Sequence, residues 1–187
     1  ELPVTEEALP RPRSPYGVTK LAAEHLCVLY AMNFGVPTSS LRYFTVYGPR
    51  QRPDMAFRKY IEAALDGRVF EVYGDGSQTR DFTFVADAVR ANLLAVACDE
   101  TWAVFNTGGG SRVAFGDALE QLQQIISARA PGVKAEIRYT ETALGDVRDT
   151  FSDRTHVQSS IGYEPTVDFA TGLAREVEWA IARRNRD

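Results

Sequence analysis

Short β-prone runs alternate with helix-length segments along this chain, and no sequence period repeats. Strand-like runs fall at 36–44, 69–73, 81–85, 104–106 and 135–139, and helical patterns at 15–33, 55–65, 87–98, 115–130, 155–160 and 169–184. A helix interposed between strands is long enough to carry the chain back for parallel pairing, so the expected class is α/β. The signals are local and physical. Ser14 suits an N-cap and Pro15 the first helical position, where its missing N–H costs nothing. Gly35 and Pro37 then stop the helix. Met55, Phe57, Tyr60, Ile61, Ala64 and Leu65 recur at helical spacing. Gly108-Gly109-Gly110 reads as a plain strand-to-helix connection. No linker or low-complexity stretch divides the 187 residues, which suit about one domain.

Composition removes several classes of function. The chain is 44% hydrophobic and 25% charged, enough apolar content for a sizeable core. Its longest apolar run, 93–98, is far short of the roughly 18 residues that a membrane span needs, so no membrane partner is expected. Twenty-one basic against twenty-five acidic side chains leave a net charge of −4, which argues against nucleic acid. Any anionic ligand then has to be held by locally placed arginines. Cys27 and Cys98 lack CxxC spacing, which fits a reducing, cytoplasmic setting and two buried packing residues. The chain opens on Glu1-Leu2-Pro3, without Met or a leader pattern, and is read as part of something longer.

Two constellations carry chemistry. Tyr16 and Lys20 stand four apart at the start of a helix, which puts both on one face. An ammonium beside a phenol favours the phenolate, and such a tyrosine suits a general base. Taken alone, this pair is also what a helix surface carries by chance. Arg50 and Arg52, Arg80, and Arg148 fall in three loops, and guanidinium groups hold phosphate or carboxylate bidentately. Surface arginines paired with carboxylates are the plain alternative. Asp146 suits vicinal hydroxyls of a sugar or ribose, or else simply forms a turn after Gly145. The glycines contain no G-x-G-x-x-G and no P-loop, and His25 and His156 lack metal-ligand spacing. The arginines of the C-terminal tail fit a helix dipole.

Six ordered strings covering nearly the whole chain resemble the extended short-chain dehydrogenase/reductase family, within it the nucleotide-sugar epimerases and dehydratases. They are SPYGVTKLAAE (14–24), LRYFTVYGPRQRPDMAF (41–57), EVYGDGSQTRDFTFV (71–85), VFNTGGGSRV (104–113), GDVRDT (145–150) and IGYEPTVDFATGL (161–173). The nearest likeness is to the NAD-dependent UDP-glucose and UDP-glucuronate 4-epimerases. The dehydratase branch fits less well, because Arg-Gln-Arg-Pro-Asp follows Tyr47-Gly48-Pro49.

This resemblance implies the C-terminal part of an NAD(P)-binding Rossmann fold joined to a smaller substrate-binding domain. Late Rossmann elements would occupy about 1–50 and 81–107, and the substrate lobe mainly 51–80 and 108–187. Tyr16 would take the sugar 4-OH proton and Lys20 would bind the nicotinamide ribose, while Phe44 lines the nicotinamide. Thr45 and Arg52 would meet the sugar and lean towards a uronic acid. Met55 and Ala56 would approach the diphosphate, Val72 and Tyr73 the uracil, Arg80 and Arg148 the diphosphate, and Asp146 the uridine ribose. The family's NAD-binding half would lie upstream of Glu1, so the chain by itself is expected to be inactive and to act with that half. A UDP-sugar is the expected substrate and NAD the cofactor. A homodimer formed through the first helix is also expected. The alternatives are a non-catalytic UDP-sugar-binding or dimerising module, or a dehydratase or decarboxylase.

Overall fold

The computed structural model describes residues 1–142 and 147–186. In chain order the elements are α1 (Pro15–Phe34), β1 (Thr38–Tyr43), β2 (Thr45–Tyr47), α2 (Ala56–Asp66), β3 (Val69–Tyr73), β4 (Thr79–Phe84), α3 (Val85–Ala95), β5 (Trp102–Thr107), β6 (Arg112–Ala114), α4 (Phe115–Arg129), β7 (Glu136–Thr140), α5 (Thr155–Ile161) and α6 (Phe169–Arg184). The start and stop signals act as their chemistry dictates. Ser14 Oγ accepts from Gly17 N–H at 3.1 Å, Pro15 opens α1, and Gly35 closes it at φ 66°. Asp168 caps α6 by accepting from Thr171 N–H at 2.9 Å.

Strand pairing is mostly parallel, as the interposed helices require. β1 pairs with β5, from Thr38 opposite Trp102 to Tyr43 opposite Thr107. β2 pairs with β4 and β3 with β7, both in parallel, while β4 takes β6 on its other side antiparallel. The run expected as a strand at 36–44 forms β1, and the stretch after it, expected as loop, begins with a second strand, β2. Between them at Phe44 the chain leaves the β1–β5 ladder and joins β4.

Alternation along β1 sets what lies on each face. Thr38 Oγ1 donates to Cys27 O on α1, and Arg42 grips Glu24 of α1 through Nε and Nη2 at 2.8 and 2.7 Å. Leu41 packs the other way, into a core of Ala91, Ala103, Phe105, Val157 and Tyr163. A larger core gathers Tyr47, Phe57, Tyr60, Ile61, Phe70, Phe82, Phe84, Leu119, Leu122, Ile126, Phe169, Leu173 and Val177. It is built from α2, α4 and α6 against β2, β3 and β4. α1 is covered on only one stripe. Ala31 is its one buried residue, while Leu26, Tyr30, Met32 and Phe34 stay exposed.

Two expectations need correction. The glycine run is not a plain connection, because β6 intervenes before α4 and the run is clamped. Asp81, wholly buried, accepts from Gly109 N–H at 2.9 Å and Gly110 N–H at 3.0 Å through Oδ1. Through Oδ2 it accepts from Ser152 N–H at 3.0 Å and Ser152 Oγ at 2.8 Å. Gly109 has to be glycine, since a Cβ there would lie 1.8 Å from Phe82 O. The cysteines are half-buried and free rather than fully enclosed; Cys98 borders the smaller core three residues past α3.

Replacing Asp81 with Ala would strand four donors at once, two of them on the buried Ser152. A buried donor costs about 1–3 kcal/mol when left unpaired, so Asp81→Ala should lower unfolding stability by about 2–6 kcal/mol in urea denaturation. A loss under 1 kcal/mol would show that the clamp is not needed.

Candidate active site

Tyr16 and Lys20 share one face of α1, with Lys20 Nζ 5.4 Å from the Tyr16 ring centroid. The phenol is 68% exposed, although it sits one residue inside the helix start. The Glu24–Arg42 pair fixes this helix to β1, and Arg42 Nη1 also donates to Glu6 O at 3.0 Å. That hydrogen-bonded pairing raises the Arg42 guanidinium further above its ordinary range, despite the opposing effect of burial.

The segment after β2 forms a folded loop. Phe44, Thr45 and Val46 are half-buried, and Arg50 adopts φ 68°, a left-handed conformation that a non-glycine residue seldom takes. Gln51 ties the loop internally, donating from Nε2 to Val46 O at 3.0 Å and accepting the Arg58 N–H at 3.1 Å. Arg52 projects outward and bonds Asp54 at 3.1 Å. Met55 begins α2 with no side-chain cap, and Ala56 is the first helical residue. The positive end of this helix therefore faces outward beside Arg52.

The turn between β3 and β4 gathers a second group. Gln78 Nε2 donates to Tyr73 O, and Thr79 N–H donates to Arg148 O at 3.0 Å. Arg80 Nη1 donates to Thr79 O and to Arg148 O, at 2.9 and 3.1 Å. Tyr73, Arg80 and Arg148 thus meet at one corner, with Tyr73 exposed. Val72 is in a different position, since its side chain is buried in the larger core and its carbonyl accepts from Thr140 Oγ1. Arg112 joins this corner through Thr79 Oγ1 and Asp149 Oδ1. The Thr79 and Arg112 hydrogen bonds hold the Asp149 carboxyl below the usual carboxylate range. Asp146 lies outside the described residues.

Behind the loop, α6 is anchored in two places. Tyr47 OH donates to Phe169 O at 3.2 Å, and Gly48 N–H donates to Glu176 Oε2 at 2.8 Å. The approach is close enough that a Cβ on Gly172 would meet the Tyr47 hydroxyl at 2.2 Å. Burial raises the Tyr47 phenol far above its ordinary value.

The profile of the NAD dependent epimerase/dehydratase family matches residues 1–108. The chain belongs to that family. It is 36% identical over 180 residues to the uncharacterized UDP-glucose epimerase YtcB of Bacillus subtilis, covering 94% of this chain and 54% of that protein. It is 34% identical over 170 residues to the UDP-glucuronate 4-epimerase of Thermodesulfobacterium geofontis, covering 90% and 51%. Among solved structures, the Bacillus cereus UDP-glucuronic acid 4-epimerase in complex with UDP-glucuronic acid and NAD superposes with TM-score 0.88 at 39% identity, covering 96% of this chain and 56% of that one. The chain spans about half the length of the curated relatives it matches.

Within this epimerase/dehydratase chain, two residues of the region escape sequence reasoning. Arg112 lies within the string at 104–113 but takes no role there; its pairing across β4 reveals it. Glu176 had a signal, since it falls three residues after Leu173 and four before Ala180, in the apolar stripe of α6. A carboxyl there has to be buried.

Burial pushes the Glu176 carboxyl up to about 8, against the opposing effects of the Gly48 N–H and the Arg58 charge. A raised acid binds its proton more tightly in the folded state. Its contribution is therefore fully present below about pH 4.5 and is lost as pH rises through about 8. The difference corresponds to roughly 5 kcal/mol at most. Glu176→Gln keeps an acceptor for Gly48 but does not titrate. It should raise the thermal midpoint at pH 8, with the advantage shrinking towards pH 4.5. A gap that stayed constant across this range would show that Glu176 does not titrate in it.

Proposed function

We propose that this chain carries the proton-transfer and substrate-binding part of an NAD-dependent UDP-sugar 4-epimerase. The observation that carries the reading is the exposed Tyr16 phenol with the Lys20 ammonium beside it. An open phenol and a neighbouring cation on one helix face fit an acid–base group working next to a nicotinamide ribose. Lys20, and Phe44 at the end of β1, would hold NAD, which when bound takes a hydride from the sugar carbon and returns it. Acting as the phenolate, Tyr16 takes the 4-hydroxyl proton to become the phenol and gives it back to the same oxygen, so the group is unchanged over a cycle. The Lys20 ammonium favours the phenolate with which the cycle starts and ends.

On the nucleotide side, Arg80 and Arg148 supply cations for a diphosphate, and the start of α2 at Met55–Ala56, ahead of the Arg58 N–H that Gln51 takes, adds N–H groups. Tyr73 offers an exposed ring to the base. Val72 offers only its backbone, given its burial. This part of the reading divides the chain as the resemblance implies, with a late Rossmann portion around β1 and β5 and a substrate lobe around α2, α4 and α6.

Thr45 and Arg52 favour a uronic acid over a neutral hexose, because Arg52 is exposed and already shaped to a carboxylate, that of Asp54. Names among the relatives include both a glucose and a glucuronate epimerase. A dimerising module is the second reading, favoured by the exposed apolar side chains of α1. In an active enzyme the same surface would serve a homodimer.

Calorimetric titration of this chain tests the reading. UDP should bind, and UDP-glucuronate should bind more tightly than UDP-glucose. Arg52→Ala should weaken UDP-glucuronate about 10-fold, the usual worth of a charge-assisted hydrogen bond, and leave UDP-glucose within about 2-fold. Equal losses on both sugars would remove the uronate reading. No binding of UDP by the unaltered chain would remove the substrate-binding role.

A further inference from the structure

The chemistry above makes no use of Glu176, although it is wholly buried. It stands in a stripe of α6 whose other buried members are Phe169, Gly172, Leu173, Val177 and Ala180. Its Oε2 accepts the Gly48 N–H, and its Oε1 makes no hydrogen bond among the described residues. From Gly48 the hydrogen bonds continue outward. Gly48 O accepts from Gln51 N–H at 3.0 Å, and the Gln51 side chain joins Val46 O to the Arg58 N–H in the first turn of α2. One chain of bonds therefore runs from the inside of α6, through the loop, to the helix start. The outer side of the same loop carries Arg52 and Met55. Arg50, at φ 68°, shows that the loop is held in a conformation it would not adopt unaided.

We propose that Glu176 is a positioning residue for the ligand-binding loop. By holding the Gly48 N–H from beneath, it sets residues 48–55 so that Arg52 and the start of α2 present themselves together to the ligand's anionic groups. This rests on the substrate-binding reading of that loop. The Tyr47–Phe169 bond supplies the other anchor, on the strand side of Gly48, so losing the Glu176 acceptor frees the loop without detaching β2. The charged and titratable groups around the carboxyl are Arg58 from α2 and Tyr47 from β2. Asp87 of α3 and Asp168 at the start of α6 act on that same tyrosine.

Three versions of the 187-residue chain separate this role from mere packing. Glu176→Gln keeps an acceptor, whereas Glu176→Met fills similar space without one. Amide hydrogen exchange should be about 10-fold faster across 48–55 in Glu176→Met, the loss of one buried hydrogen bond, and unchanged along α6. Glu176→Gln should match the unaltered chain. Calorimetry with UDP should show an affinity about 5-fold lower for Glu176→Met and unchanged for Glu176→Gln.

Unchanged exchange at 48–55 in Glu176→Met would overturn the proposal, as would a loosened loop that binds UDP as tightly as before. Equal acceleration in the loop and in α6 would reduce the role to packing. A second measurement needs no variant. On titrating the unaltered chain, the amide resonances of Gly48 and of residues through Arg52 should follow the Glu176 carboxyl carbon; a carboxyl that titrates while they stay fixed refutes the coupling. If the unaltered chain fails to bind UDP, the functional reading falls, and exchange and titration still decide whether Glu176 sets the loop.

Discussion

The carboxylate of Asp81 organises much of this structure. It is a full acceptor set buried in the middle of β4, and it satisfies donors from two segments far away in the chain, the glycine run after β5 and the stretch before α5. Backbone N–H groups in an apolar interior have to find acceptors, and neither of these segments is part of a ladder that would supply them. Asp81 lets both cross close over β4, which brings β5 and α5 against the smaller core while β4 itself belongs to the larger one. The two cores are thus joined by a polar bond set rather than by continuous apolar packing. A short side chain with two oxygens is suited to this role, since it reaches four donors with little entropy to lose.

The candidate site straddles that junction. Tyr16 and Lys20 ride on α1, which the Glu24–Arg42 pair fixes to β1 beside the smaller core. The loop with Arg52 and the corner with Arg80 and Arg148 rest on strands and helices of the larger one. Each arginine group has an acidic neighbour, Asp54 beside Arg52 and Asp149 beside Arg112. This explains how a chain of net charge −4 can place several cations where an anion would be bound. A ligand carboxylate or phosphate would exchange one anionic partner for another rather than meet bare charge, and such exchange favours selectivity over raw affinity.

Much of this is legible in the sequence, and what is not has identifiable causes. The limits of α1 follow from Ser14, Pro15 and Gly35 because caps are local chemistry. β3 follows from its alternation, and α4 from its apolar period. β2, which follows β1 where the sequence reads as loop, is illegible because it depends on a partner, β4, some 35 residues further on. Asp81 gives no signal in a run that reads as an ordinary strand, since the donors it serves are distant in the chain. Tyr16 and Lys20 stand out by spacing, and the loop arginines by the strings that contain them. Arg112 depends on antiparallel register, and Glu176 on noticing one acidic residue in an apolar stripe. Burial reverses the usual reading of such a residue.

Two of the parallel ladders have a further consequence, for the order in which the molecule can assemble. Thr38 meets Trp102, and Val69 meets Glu136, so these two wait for more than about 60 further residues. Contacts of such separation make closure slow relative to local helix formation. As the chain emerges from synthesis, α1 and β1 precede their covering strand by that length. During this interval the exposed edge of β1 and the apolar side chains of α1 are the surfaces on which premature association would occur.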